Sequence, residues 1–351
     1  MKDFRLVQDI KAQADSLARV LQQQHEQGAS AILQAASLIR SRNRVLITGI
    51  GASMFASIPL QYFLCACGID AVLIEAGELF HYLHHTYRDA VVIIVSRSGE
   101  SVEIARVLTD MKARQPIIGV TNEPASLLAR EADISLHIGS LPDEMVAIQT
   151  YTGTLVTLHI LGAAVNNDQD AAKDTVESSL PSFAGLVEAS LENLNRWDRF
   201  LEIGSPVHLL ARAPSYGSAL EGALLFNEIA KHTAVGMPSA SFLHGPVELV
   251  DNHFRGLIFA PDGWTRHLNL ALAQNLVRFG GQVRIIGPSP EGFSEMEWYQ
   301  VPESHESLAP LFEIVPVQVA ALRMAQLHGI VPGSFRYTPQ VATDEASFAP
   351  V

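Results

Sequence analysis

Three serines, an arginine and a glycine crowd into one short stretch, Ser96-Arg97-Ser98-Gly99-Glu100-Ser101. The β-branched run Ala90-Val91-Val92-Ile93-Ile94-Val95 precedes it, and Val102-Glu103-Ile104-Ala105-Arg106-Val107-Leu108 follows with helical spacing. The stretch is therefore expected on a turn that opens a helix. Unpaired backbone N–H groups and the positive end of the helix dipole favour an anion such as phosphate there. An ordinary helix cap needs one hydroxyl, and this turn has three. A second turn, Gly49-Ile50-Gly51-Ala52-Ser53, lacks the third glycine of a dinucleotide fingerprint, so Ser53 reads as a further hydroxyl for the same anion.

A second group of residues suits proton transfer. On a helix expected from Ser218 to His232, Glu221, Leu225 and Glu228 share one face. A carboxylate on a largely apolar face can have its pKa raised towards neutrality, which fits a proton carrier. A glutamate facing water would be an ordinary surface residue. His244 follows in the loop Leu243-His244-Gly245-Pro246. The lysines are Lys2, Lys11, Lys112, Lys173 and Lys231, with none further along the chain.

These residues need a frame. Residues 1–38 read as two helices, with the polar Gln22-Gln23-Gln24-His25-Glu26 near the turn between them. From Arg44 short apolar runs alternate with helical segments: Val45–Thr48, Ala71–Ile74, Ala90–Val95, Pro116–Thr121 and Ile134–Ile138 are predicted strands. Continuous apolar strands separated by helices predict a parallel sheet covered on both faces. The pattern begins again near Pro206, where Pro206–Arg212, Gly256–Ala260 and Gln282–Gly287 mirror three of those strands. This is an internal duplication of a βαβ domain. The predicted organisation is helices over 1–38, a first domain over 39–167 with the anion turn, linking helices over 168–200, a second domain over 201–329 with Glu228 and His244, and a tail over 330–351. Where the first copy has its serines the second has Ala260-Pro261-Asp262-Gly263-Trp264-Thr265, so one anion site per chain is expected.

Composition narrows the partners. The 351 residues include 24 Lys and Arg against 37 Asp and Glu, a net charge of −13, which argues against nucleic acid or an anionic membrane as partner. A small anionic substrate stays open, because amides and hydroxyls can hold a phosphate. With 48% hydrophobic and 17% charged residues the chain is globular, neither disordered nor collagen-like. Cys65 and Cys67 lie in an apolar stretch and are expected buried, reduced and inert, with no neighbours to complete a metal site. The charged start Met1–Arg5 does not read as a signal peptide, and the uncharged run Val45–Ile69 is broken by Gly49, Gly51, Pro59 and Gly68. A soluble, cytoplasmic protein without metal or cofactor is expected.

Taken together, these motifs resemble those of tandem sugar-isomerase (SIS) domain proteins, notably the isomerase half of glucosamine-6-phosphate synthase and related phosphosugar isomerases, deaminases and deglycases. The serine turn is similar to the family's Ser-Gln-Ser-Gly-Glu-Thr. Ala219–Leu224 resembles its helix opening, Leu243–Pro246 with Glu248–Asp251 its histidine loop, and Ala309–Gln318 its last helix. The resemblance covers residues 40–343 approximately, and nothing in it matches the synthase's glutaminase half, so glutamine hydrolysis is not expected. It implies an α/β fold of two tandem doubly wound, flavodoxin-like parallel-sheet domains behind a helical N-terminal segment.

By that resemblance Ser53, Ser96, Arg97, Ser98 and Ser101 hold a sugar phosphate, helped by backbone near Val146 and Ala147. The family continues with Ser-Thr-Lys where this chain has Ile148-Gln149-Thr150. Glu228 matches the family's base that moves a proton between sugar C1 and C2. His244 matches the histidine that opens the sugar ring, on a loop that reaches the neighbouring subunit's site, which implies a homodimer with shared sites. Two family lysines are replaced, one by Leu225 and one, by ungapped counting from Gly329, by Gln340. Phe335-Arg336-Tyr337 is similar to the tail of the deglycase branch, and Arg336 is a candidate for binding phosphate or a substrate carboxylate.

The reading that follows is an enzyme acting on a phosphorylated amino sugar or sugar–amine adduct, by deamination or deglycation coupled to aldose–ketose proton transfer. The alternatives are a plain phosphosugar isomerase using Glu228 and His244, a synthase-like isomerase and aminotransferase, and a non-catalytic sugar-phosphate sensor. The presence of both Glu228 and His244, and an N-terminal segment too short for a DNA-binding head, weigh against the sensor.

Overall fold

The computed structural model describes residues 4–85, 87–201, 204–288 and 296–337. Helices α1 (Arg5–His25) and α2 (Ala29–Arg42) lead into β1 (Arg44–Gly49), α3 (Ala52–Ala66) and β2 (Asp70–Glu75). The short α4 (Ala76–Glu78) runs into a π-helical turn at Leu79–Leu83, followed by β3 (Val91–Val95), α5 (Val102–Met111) and β4 (Ile117–Thr121). Then come α6 (Leu127–Glu131), β5 (Ile134–His137), α7 (Gln149–Val165), α8 (Gln169–Glu192) and α9 (Asp198–Leu201). The pattern repeats as β6 (Val207–Ala211), α10 (Tyr216–Ala230), β7 (Ala234–Pro238), α11 (Ser239–Phe242), β8 (Arg255–Phe259), α12 (Arg266–Arg278), β9 (Gln282–Gly287), β10 (Glu297–Gln300) and α13 (Ala309–Leu327).

The chain divides into two compact units. The first, holding β1–β5, spans Ala12–Leu180 and Phe335–Val351; the second, holding β6–β10, spans Met1–Lys11 and Pro181–Ser334. Each contains one five-stranded parallel sheet, ordered β2-β1-β3-β4-β5 in the first and β10-β9-β8-β6-β7 in the second. Counted from the first strand of each unit both orders read 2-1-3-4-5, the doubly wound order of flavodoxin-like folds. The expected α/β class, with its helical start, is the observed one.

Burial explains why these strands were readable. Every residue of β3, β4, β6 and β8 is buried, so both faces are largely apolar and the sequence shows apolar runs, interrupted by His208 in β6 and headed by Arg255 in β8. In the first unit Leu46, Val92, Ile94 and Ile117 pack against Ile104, Val107 and Leu108 of α5. In the second, Leu210, Ile258 and Ile285 pack against Leu272, Ala273 and Leu276 of α12.

One expectation fails. Cys65 and Cys67 are exposed free thiols, not buried ones. The buried residues of α3 are Ala56, Ser57, Ile58, Pro59, Leu60 and Leu64, and the two cysteines fall beyond that stripe at the helix end, although their neighbours are apolar. Cys65 is close enough to Ala71 to donate to its carbonyl at 3.5 Å. No helix among the described residues is long and apolar enough to cross a membrane.

Candidate functional site

In the first unit β1 lies between β2 and β3, so the chain leaves β1 towards one side of the sheet and β3 towards the other. The crevice at the carboxyl ends of two such strands is where open α/β sheets bind ligands. Both serine-bearing turns start there, Gly49–Ser53 after β1 and Ser96–Ser101 after β3. The strands approach closely: a Cβ on Gly49 would lie 2.8 Å from the Val95 carbonyl oxygen.

The Ser96–Ser101 turn is built by its own side chains. Ser96 is buried, and its Oγ accepts from the Gly99 amide at 3.1 Å. Ser98 Oγ accepts from the Glu100 amide at 3.3 Å. Gly99 has φ +64°, and a Cβ there would meet Ser126 Oγ at 2.3 Å, so both conformation and space require glycine. The backbone carbonyl of Arg97 accepts from the Asn122 amide at 3.0 Å and from Thr121 Oγ1 at 3.0 Å, which ties the turn to the end of β4. The Glu100 carboxylate is engaged by the neighbouring helix, because its Oε1 accepts from the Leu127 amide at 2.7 Å and caps α6. Ser101 is the N-cap residue of α5, yet its side chain makes no capping bond. The turn thus presents hydroxyls at the positive end of α5 with its one carboxylate engaged by α6.

Val146 is buried and Ala147 half-buried, just ahead of α7. The first amides of α7 are already taken by a residue that the sequence reading did not single out. Asp143 Oδ1 accepts from the Gln149 amide at 2.7 Å, Oδ2 accepts from the Thr150 amide at 3.1 Å, and the Thr150 hydroxyl also donates to Oδ2. Burial pushes the Asp143 carboxyl above its ordinary range, with these hydrogen bonds opposing the shift. Its signal was an aspartate shortly before a helix, a common capping pattern. Arg336 is exposed near the end of the described chain, and Gln340 lies outside the described residues.

In the second unit Glu221 and Leu225 are buried on α10, while Glu228, further along the same face, is half-buried. Lys231 caps the helix in the left-handed conformation and its Nζ donates to the Glu228 carbonyl oxygen. His244 is exposed on a loop where Leu243 and Leu249 are also exposed and Gly245 has φ +132°.

The start of α10 corresponds to the start of α3 in the first unit, and there the second unit carries a carboxylate of its own. Ser215 Oγ donates to Glu313 Oε1 and Ser218 Oγ to Oε2, each at 2.9 Å. Burial pushes the Glu313 carboxyl up to about 8, with the two serine hydrogen bonds opposing the shift. A lone glutamate in the apolar run Ala309–Val319 was the available signal, and it was not singled out. Where β8 ends, the turn Ala260–Thr265 exposes Trp264 instead of hydroxyls.

Comparison with known proteins finds similarity in sequence and in fold. The family model described as the SIS domain matches residues 38–164. A glutamine–fructose-6-phosphate aminotransferase (isomerizing) of Pyrococcus horikoshii is 28% identical over 323 residues, covering 89% of this chain and 54% of its own length. The enzyme of the same name from Thermotoga maritima is 27% identical over 330 residues, covering 88% of this chain and 53% of its own. The chain spans about half the length of the curated relatives it matches. Among solved structures, the C-terminal domain of glucosamine-fructose-6-phosphate aminotransferase from Francisella tularensis superposes with TM-score 0.81 at 20% identity, covering 93% of this chain and 96% of that one. A glucosamine-6-phosphate deaminase from Thermotoga maritima gives 0.76 at 20% identity, covering 97% and 99%. Tagatose-6-phosphate ketose/aldose isomerase from Escherichia coli gives 0.77 at 19%, covering 94% and 95%. Residues 38–164 thus match the SIS domain model, and the fold of the described chain, two five-stranded α/β units one after the other, is the fold of these solved structures.

Proposed function

We propose that the protein is a phosphosugar enzyme that releases an amine from an amino-sugar phosphate or sugar–amine adduct, coupled to aldose–ketose proton transfer. The observation that carries the phosphate half is the Ser96–Ser101 turn: hydroxyls at the start of α5, a glycine held at φ +64°, and Glu100 directed to α6. Ser53, Ser96, Arg97, Ser98 and Ser101 hold the phosphate in this reading, with backbone near Val146 and Ala147 and with Arg336 from the tail.

The chemistry assigned to the second unit needs no protein amine. His244 assists ring opening, giving an aldehyde at C1 beside the C2 amine. Glu228 removes the C2 proton and returns a proton to C1, so the aldose amine becomes a ketose imine. Water adds at C2, the C2–N bond breaks, and the amine leaves with a ketose phosphate as the other product. Leu225 is fully buried where a helix-face lysine would stand, and Lys231 is engaged with a backbone carbonyl. Both features favour a substrate that brings its own nitrogen. The exposed His244 loop supports the further proposal that two copies share their sites.

The test is a panel of amino-sugar phosphates and ketoamine phosphates assayed for released amine. Release from at least one, lost in Glu228→Gln, is the expected outcome. Aldose–ketose interconversion of plain sugar phosphates without amine release from any member would replace this reading by the plain isomerase.

A further inference from the structure

The second unit carries a cavity of about 340 Å³ lined by Arg196, Arg199, Arg284, Glu297, Trp298 and Tyr299. Three guanidiniums meet there in a chain whose net charge is −13. Arg284 and Glu297 are register partners on β9 and β10, and Arg284 Nε donates to Glu297 Oε2 at 2.7 Å. Arg284 is 8% exposed, and its guanidinium lies 4.9 Å from the Trp197 ring centre and 5.2 Å from that of Phe200. Its charge is thus fixed, neutralised by one carboxylate, and walled by aromatic rings.

The other two arginines have no such balance. Arg196 Nη2 donates to the Trp298 carbonyl at 3.2 Å and its guanidinium lies 5.2 Å from the Tyr299 ring centre, with no carboxylate paired to it among the described residues. Arg199 is exposed and has no hydrogen-bond or ion-pair partner among the described residues. The acid between them, Asp198, is committed to Arg323 through bonds of 2.6 and 2.8 Å. Two cations therefore border one small cavity with no carboxylate paired to them among the described residues, Glu297 being engaged by Arg284. A planar guanidinium matches the oxygens of a phosphate through paired hydrogen bonds, and two of them match its double charge.

The place in the fold separates this cavity from a substrate crevice. Glu297 and Trp298 begin the edge strand β10, opposite Arg284 and Ile285 within β9, so the cavity lies along the flank of the sheet. The switch between β6 and β8, where α10 starts, is elsewhere in that sheet. None of the residues assigned above to phosphate binding or proton transfer lines the cavity.

We propose that this cavity is a second anion site, in which Arg196 and Arg199 bind the phosphate group of a small phosphorylated ligand while Arg284 and Glu297 form its fixed back wall. Inorganic phosphate is the probe, and Trp298 in the wall is the reporter, read by fluorescence in a Trp264→Phe background that removes the exposed tryptophan. A saturable change is expected, and it should persist in Ser98→Ala/Ser101→Ala, which keeps it distinct from the serine turn. Arg196→Gln/Arg199→Gln should weaken it about tenfold or more. Should that pair fail to fold, Arg199→Gln alone alters only an exposed side chain and should weaken it in the same direction. No saturable change, a change that disappears with the serines and ignores the arginines, or acetate acting as tightly as phosphate would each overturn the assignment.

Discussion

Ser215 Oγ donates to Glu313 Oε1 at 2.9 Å, and both residues are completely buried. With Ser218 donating to the other oxygen, Glu313 of α13 holds the first turn of α10, the helix that bears Glu228. In the first unit the matching helix start, at α3, faces the crevice assigned to phosphate. The second unit fills its own helix start with a carboxyl group.

Glu313 should make stability fall with pH. Its folded pKa is pushed up to about 8 from an ordinary 4.5. Below 4.5 both folded and unfolded chains carry the proton, and its full contribution is present. As pH rises towards 8 the unfolded chain ionises first, so the folded state loses ground until Glu313 ionises as well. The loss should amount to a few kcal/mol, at roughly 1.4 kcal/mol per unit of displacement. Urea unfolding from pH 5 to pH 8.5, with Glu313→Gln as control, measures it; the variant should show a flatter profile, and an equally steep one would acquit Glu313.

Ser101→Ala with Ser98→Ala should weaken sugar-phosphate binding by about 1–3 kcal/mol for each charged hydrogen bond lost. Ser101 makes no capping bond, so its loss should leave the thermal midpoint almost unchanged. Ser96→Ala should instead lower both, because Ser96 Oγ also holds the Gly99 amide. Calorimetry paired with thermal unfolding separates the cases, and unchanged affinity in the double variant would remove the turn from the site.

Asp143→Ala should destabilise the protein by about 1–2 kcal/mol, the usual cost of a lost helix cap. It frees the Gln149 and Thr150 amides at the start of α7, close to Val146 and Ala147. Sugar-phosphate affinity should change with it. Unfolding free energies equal to those of the parent chain would mean that the cap contributes nothing.

The framework of the fold was legible because its central strands are buried on both faces and read as largely apolar runs. The edges were not. β7, Ala234–Pro238, contains a glycine and ends on proline, and β10, Glu297–Gln300, is short and polar. Edge strands have one side unpaired, so their sequences are not held to the same apolar pattern. The serine turn was legible because its residues are adjacent. Glu313 was not, because its partners Ser215 and Ser218 are far away in sequence and meet it only after α10 and α13 pack. The cysteines misled for a related reason: apolar neighbours indicate burial only when the residue shares the buried face.

Mixing Glu228→Gln protein with His244→Ala protein tests the shared site. Each should be inactive alone. Random exchange of subunits should restore about a quarter of the activity, since half the dimers are mixed and each mixed dimer has one intact site of two. Proven exchange without recovery would put both residues in the site of a single chain.

The central claim is that Glu228 and His244 act without a protein amine joined to the substrate. An imine needs an uncharged amine within bonding reach, and Leu225 offers none while Lys231 is held by the Glu228 carbonyl. The direct measurement is intact-protein mass after borohydride treatment in the presence of fructose 6-phosphate. An unchanged mass, in protein that still releases ammonia from an amino-sugar phosphate, is the expected result. A mass increase mapped to Lys231 would contradict it and establish an imine-forming mechanism in its place.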